Sequence, residues 1–266
     1  MNTVHVTADQ WFDICAMQRQ PALRLFFLPY AGGSGYPLRG WRDAFADNVE
    51  LLSVRLPGRG PRLEEPPYRR MAPLTAALLR AMDGYLDVPF ALFGHSMGAL
   101  IAYELCAQLE HAGRQPMHLF VSGSRAPHIV RGEKRLHALP RAELIEQLKR
   151  INGMSHELLE DESMMSMYLP MLRADLAVVE TYPRERRSPV SCPITALGGS
   201  NDPTASAEEI ESWSLYTTRN FARHMLCGGH FFIREEEHRM LQILSDALSP
   251  ASAHSASASR KSSAGS

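Results

Sequence analysis

A chain of 266 residues, 45% of them hydrophobic, can bury a core without disulfide or metal staples, and it suits one large α/β domain carrying an insertion. A formal net charge of -1 with no basic tract argues against nucleic acid as a partner. No apolar run approaches the length of a membrane span, so no membrane association is expected.

The first residues carry Asp9 and Asp13 and no long apolar stretch, so no secretory signal is read there and a cytoplasmic location is expected. The four cysteines, Cys15, Cys106, Cys192 and Cys227, are scattered without a C-x-x-C pair. They read as reduced thiols, with Cys106 and Cys227 buried, and no metal site is expected.

Along the chain, Trp11, Phe12 and Ile14 form a short apolar arm in an otherwise polar opening. Residues 24–28 are an apolar run stopped by Pro29, which predicts a buried strand. A flexible loop, Tyr30-Ala31-Gly32-Gly33-Ser34-Gly35, follows. Leu38, Trp41 and Phe45 recur at helical spacing, and residues 51–54 make a second strand ending in Leu56-Pro57-Gly58-Arg59. Residues 73–86 carry a helical stripe. A strand then runs to Gly94, a helix follows to about His111, Gly113 closes it, and another strand spans residues 117–121. Strands alternating with helices predict a mostly parallel central sheet flanked by helices, the doubly wound α/β arrangement.

The alternation stops over residues 127–189. That block holds two helical stripes, Leu144, Leu148 and Ile151, then Tyr168, Leu172, Leu176 and Val179, the second entered near Pro170. It also holds Met154, Met164, Met165, Met167 and Met171, which singly read as core and together suit an adaptable surface facing variable acyl chains. A helical insertion beside the end of the sheet reads as a lid. Strands resume at residues 193–197 and 221–226, and a last helix carries Leu241, Leu244 and Leu248. The expected organisation is a single domain over residues 1–248 and a disordered Ser/Ala-rich tail over residues 249–266.

The chemistry is carried by Gly94-His95-Ser96-Met97-Gly98, a G-x-S-x-G pattern between strand and helix. Such a turn exposes one strained serine at a helix N-terminus, and its glycines are needed where side chains would crowd the neighbouring strand and helix. A serine hydroxyl needs a base to take its proton, usually a histidine oriented by a carboxylate. Asp202 follows one strand end and His230 follows the last, so Ser96, Asp202 and His230 are the expected catalytic residues, all at one edge of the sheet. Asp175 is the rival carboxylate, read as a lid surface or hinge charge. His224, within a strand, and His238, on the last helix, are rival histidines, and His95 is expected to project away from the serine. The oxyanion hole requires two backbone N–H donors. Met97 supplies one, and Ala31, with Gly32 as runner-up, supplies the other. No G-K-[ST] or G-x-G-x-x-G accompanies the Gly-rich loop, so no nucleotide cofactor is suggested.

Five segments in chain order, residues 28–33, 56–59, 94–99, the Leu-Pro-x-Leu-Arg-Ala-Asp run at 169–175, and 229–232, resemble the type II thioesterases that accompany polyketide synthases and nonribosomal peptide synthetases. The resemblance spans roughly residues 11–248. It implies an α/β-hydrolase fold and a Ser-His-Asp thioester hydrolase without a cofactor of its own. The implied task is editing: removal of aberrant or stalled acyl groups from the phosphopantetheine arm of acyl or peptidyl carrier domains, by a monomer. One departure is Gly153-Met154-Ser155-His156 where the family has a Gly-Gly-x-Pro-like turn. The alternatives are an acyltransferase or general esterase of the same fold, and a non-catalytic hydrolase-fold binding protein.

Overall fold

The computed structural model describes residues 5–8, 10–16, 20–36, 38–130, 135–151, 161–183 and 188–249. Met154, the turn at 153–156 and the tail beyond Ser249 lie outside them. Eight strands, β1 (His5–Ala8), β2 (Phe12–Ala16), β3 (Leu23–Leu28), β4 (Val49–Val54), β5 (Phe90–His95), β6 (His118–Ser122), β7 (Ile194–Gly199) and β8 (Phe221–Leu226), form one sheet in the order β1-β2-β4-β3-β5-β6-β7-β8. From β4 to β8 all pairs are parallel, while β1 and β2 are antiparallel. The α/β-hydrolase arrangement expected from the sequence is the one observed.

The helices are α1 (Leu38–Trp41), α2 (Met71–Met82), α3 (Met97–His111), α4 (Arg141–Ile151), α5 (Glu162–Glu180), α6 (Ala207–Glu211), α7 (Phe232–Glu235) and α8 (Glu237–Leu248). Side chains alternate across a strand, so each central strand feeds two cores. Phe26, Leu28, Leu52 and Leu92 meet α2 and α3 on one face. Leu25, Phe27, Leu51 and Phe93 meet α1 and α8 on the other. Every residue of β5 is buried, as its unbroken apolar run requires. Each such Phe or Leu contributes about 1.5–3 kcal/mol by leaving water, which is what seats the strand ends so firmly.

One expectation is extended and one is corrected. The short apolar arm around Phe12 packs on the domain as a strand, β2, paired with β4. Asp13 breaks its apolar pattern, but Arg55 of the neighbouring chain segment pairs with Asp13, and Phe12 is buried edge-on against Phe26 at 5.7 Å. The helix α5 does not begin near Pro170. Asp161 caps the helix by accepting the Met164 N–H at 2.9 Å, and Pro170 lies inside it. An interior proline costs about 3 kcal/mol. Burial of Met165 and Leu169 before it, and of Leu172, Ala174 and Val178 after it, holds the helix continuous across the proline.

Between β6 and β7, α4 and α5 bury Leu144, Leu148, Met165, Leu169 and Leu172 against each other. The methionines divide: Met165 and Met171 are buried, and Met164 and Met167 are exposed. No helix among the described residues is long and apolar enough to cross a membrane.

Candidate active site

The site is built on the turn from β5 to α3. Ser96 sits there with φ +56°, the one non-glycine residue of positive φ among the described residues. That conformation is strained, and it persists because the surroundings fix it. The Ser96 N–H donates to the Ser122 carbonyl at 2.7 Å. A Cβ at Gly94 would stand 2.0 Å from the Gly98 oxygen, and one at Gly98 would stand 2.2 Å from the Leu28 oxygen. Strand and helix therefore meet backbone to backbone, and Ser96 is pushed out at the tip.

His230 lies in the loop after β8, and Asp202 in the loop after β7. The two loops press together, since a Cβ at Gly199 would meet the Gly229 oxygen at 2.3 Å. His230 Nε2 is 3.0 Å from Ser96 Oγ, and His230 Nδ1 is 2.8 Å from Asp202 Oδ2. A carboxylate only accepts, so Nδ1 carries the proton and Nε2 is free to accept from the serine. Burial alone would raise the Asp202 carboxyl. Hydrogen bonds from His230 and Thr204 and the charge of His230 outweigh it and hold the carboxyl below its usual value. Asp202 is therefore ionised wherever His230 must be oriented.

Thr204, which the sequence reading passed over, completes the group. Its hydroxyl donates to Asp202 Oδ1 at 2.7 Å, and its oxygen lies 2.8 Å from His230 Nδ1. Its place two residues after Asp202, where a side-chain oxygen takes the backbone N–H at 2.8 Å, is the local signal that could have found it. His95 points away from Ser96, as expected, into the core. Its Nδ1 meets Ser122 Oγ at 2.9 Å, and its ring centre is 5.1 Å from that of His230. Burial first, and then the charge His230 can carry, push His95 well below the usual imidazole value, so it stays neutral.

Ala31, Ser96, Met97 and His230 line one chamber of about 370 Å³, whose walls include Ile129, Leu136, Leu176, Val179, Ser124, Arg125, Glu180 and Thr204. A second, smaller lobe of about 90 Å³ shares Ala31, Ser96, Ile151, Leu176 and His230 and is closed by Tyr30, Leu148, Tyr168, Leu172 and Phe231. Ser96 thus stands where the two spaces join. None of the four described insertion methionines lines either space; Ile, Leu and Val do so instead. Of the two candidates for the early-loop donor, Gly32 gives its N–H to Asp175 Oδ2 at 2.8 Å. Met97 is the first residue of α3, where an N–H has no partner within the helix.

The rivals fall elsewhere. Asp175 is not a surface charge: it is 3% exposed and pairs with Arg59. His224 is half-buried in β8 and His238 is exposed on α8. Cys227 is exposed rather than buried, and it is the first residue past the end of β8. Cys106 is buried as expected, but it is not isolated. Its sulfur lies 3.4 Å from that of Cys192, with Glu110 beside the pair. The Cys192 contact and burial push the Cys106 thiol well above its usual value, which keeps it protonated.

This geometry accompanies a family match. Residues 23–248 match the thioesterase domain model. The chain belongs to the thioesterase domain family. It is 37% identical to linear gramicidin dehydrogenase LgrE of Brevibacillus parabrevis, over 93% of this chain and 96% of that protein. Among solved structures it is similar to RedJ, a thioesterase from the prodiginine pathway of Streptomyces coelicolor. There the identity is 42%, the TM-score 0.81, and the coverage 86% of this chain and 91% of RedJ. It is also similar to BorB, a type II thioesterase from the borrelidin biosynthetic cluster, at 33% identity and TM-score 0.82, over 92% of this chain and all of BorB.

Proposed function

We propose that this thioesterase-family chain is a type II thioesterase that hydrolyses acyl groups from the phosphopantetheine arm of carrier domains in polyketide or nonribosomal peptide synthesis. The observation that carries the reading is the 3.0 Å approach of His230 Nε2 to Ser96 Oγ at the junction of two spaces. His230 takes the Ser96 proton as Oγ attacks the thioester carbon. The Ala31 and Met97 N–H groups receive the carbonyl oxygen as it becomes an oxyanion. The C–S bond breaks, the imidazolium gives its proton to the thiolate, and an acyl-serine remains. His230 then deprotonates a water, which releases the acid and restores Ser96. Asp202 stabilises the imidazolium in both halves.

Two spaces meeting at one serine suit a thioester, which carries a chain on either side of its carbonyl. The smaller lobe suits the acyl group. The larger chamber, with Ser124, Arg125, Glu180 and Thr204 in its wall, suits the amide-bearing arm. A serine hydroxyl aligned to an imidazole serves acyl transfer and plays no part in moving a hydride, so the reading follows the site rather than the dehydrogenase of one relative's name. The helical insertion over residues 127–189 serves as the lid, and contacts with the carrier outside it help to open it.

The test compares kcat/KM for one acyl group on a carrier domain, on coenzyme A and on a short pantetheine mimic. Higher efficiency on the carrier is expected, together with loss of about 10⁶-fold in Ser96→Ala by analogy with other triads. Equal values on all three would point to a general small-molecule thioesterase.

A further inference from the structure

Three segments meet at a single buried node whose polar side chains the serine machinery leaves unused: the Gly-rich loop after β3, the Leu56–Arg59 loop after β4, and α5. Arg59 grips Asp175 with both arms, Nη2 to Oδ1 at 2.7 Å and Nη1 to Oδ2 at 2.8 Å, with the side chains 5% and 4% exposed. The same Nη1 also donates to the Gly33 carbonyl at 2.9 Å. Asp175 Oδ2 accepts the Gly32 N–H at 2.8 Å, and the Tyr168 hydroxyl donates to the Gly32 carbonyl at 2.8 Å. Burial first, and then the neighbouring Asp175, push the Tyr168 phenol up to about 12, so it stays a donor at working pH. The fit is close enough that a Cβ at Gly32, where φ is +80°, would stand 1.9 Å from the Tyr168 oxygen.

The node reaches the catalytic loop by one more bond. The Gly33 N–H donates to the Tyr30 carbonyl at 2.9 Å. That carbonyl belongs to the same planar peptide as the Ala31 N–H, so fixing one aims the other. We propose that Asp175, acting with Arg59 and Tyr168, is a positioning residue that aims the Ala31 N–H at the reacting carbonyl, so that the oxyanion donor is complete only when α5 is seated. This rests on the reading of Ala31 as a donor. The catalytic loop is held by side chains of the helical insertion, so the seating of the insertion and the competence of the oxyanion hole are one equilibrium. A helix position that only closed over substrate would have no reason to bond the backbone of that loop.

The experiment uses the full chain with Asp175→Asn and Tyr168→Phe. It reads kcat and KM on an acyl-pantetheine thioester, the pH profile of kcat, and the affinity of an alkyl trifluoromethyl ketone. That ketone is attacked by Ser96 and places a tetrahedral oxyanion in the hole. The expected result is a fall in kcat of about 10–100-fold for Asp175→Asn and about 3–10-fold for Tyr168→Phe, less than the full loss of an oxyanion donor. KM should stay within about threefold, and ketone affinity should fall by the same factor as kcat, as an interaction made only in the transition state requires. The pH midpoint should not move, because His230 and Asp202 are untouched. Tyr168→Phe loses one hydrogen bond and no charge, so it decides the matter if Asp175→Asn does not fold. Unchanged kcat, or a fall in kcat without weaker ketone binding, overturns the proposal. Failure of the underlying reading looks different: the wild type itself would not bind the ketone, or Ser96→Ala would still turn over.

Discussion

Gly98 and Leu28 touch backbone to backbone: a methyl on Gly98 would stand 2.2 Å from the Leu28 oxygen and 2.9 Å from that of Pro29. The start of α3 therefore lies on the very residues that lead into Ala31. Gly98→Ala must push the helix away from β3, and neither partner is a flexible side-chain end that could yield. A loss above about 4 kcal/mol is expected, in the range reserved for core overpacking and backbone strain. Urea unfolding checks it; a variant within about 0.5 kcal/mol of wild type, the scale of an ordinary surface change, would mean that the turn is looser than described.

The carboxylate and the threonine beside His230 differ in weight. Asp202→Asn presents an amide that can donate to Nδ1 and select the wrong tautomer, and should cost about 10⁴-fold in kcat. Thr204→Val leaves the carboxylate–imidazole bond intact and removes one hydroxyl from Asp202, so about tenfold is expected, the low end for a hydrogen bond to a charged group. Steady-state kinetics on one thioester ranks them. Thr204 being the costlier loss would make it the principal orienting group.

His118, at the start of β6, is held with Nε2 2.8 Å from Thr195 Oγ1 and its ring stacked on Phe120 at 4.3 Å. Burial lowers it to about 4. An unfolded chain binds a proton on this histidine near its ordinary value of about 6.5. Between those values the unfolded state holds more protons, so stability is complete above about 6.5 and declines as pH falls toward 4. Each unit of displacement is worth about 1.4 kcal/mol. His95, also lowered by burial, acts in the same direction. Asp202 is lowered too, but as an acid it matters only as pH falls below its ordinary value of 3.8. His118→Gln keeps a partner for Thr195 and should flatten, without abolishing, the drop in urea midpoint between pH 7 and pH 4.5. An unchanged slope would show that His118 takes up its proton as readily in the folded state as in the unfolded chain.

The serine turn was legible because its constraint is local: a strand, two glycines and a helix in eleven residues. Asp202 and His230 were legible because parallel strands deliver their following loops to one edge. The antiparallel β1–β2 pair was not, since Asp13 looks polar until Arg55, far along the chain, neutralises it. Asp175 was misjudged for the same reason. A charge on a helix reads as solvated, and only the fold brings Arg59 to it across 116 positions. The approach of Cys106 to Cys192, 86 positions apart, is equally silent in the sequence. What sequence spacing could not supply in each case was a partner from a distant segment.

The smaller lobe sets the last expectation. Its volume is about 90 Å³, and Leu148 and Leu172 close it, at 8% and 2% exposed. Space of that size accommodates a short acyl group and meets a longer one with packed leucine. Leu148→Ala removes three carbons from the wall. The ratio of kcat/KM for hexanoyl over acetyl thioesters should then rise about tenfold, the lower range for a methylene or two gained or lost in an apolar pocket. The variant will also lose about 2–3 kcal/mol of stability, because Leu148 joins α4 to α5. The ratio is read well below the melting temperature, where that loss does not enter. If the ratio stays put while Leu136→Ala, in the wall of the larger chamber, raises it, then the acyl chain occupies the larger space and the pantetheine arm takes the path past Tyr30 and Phe231.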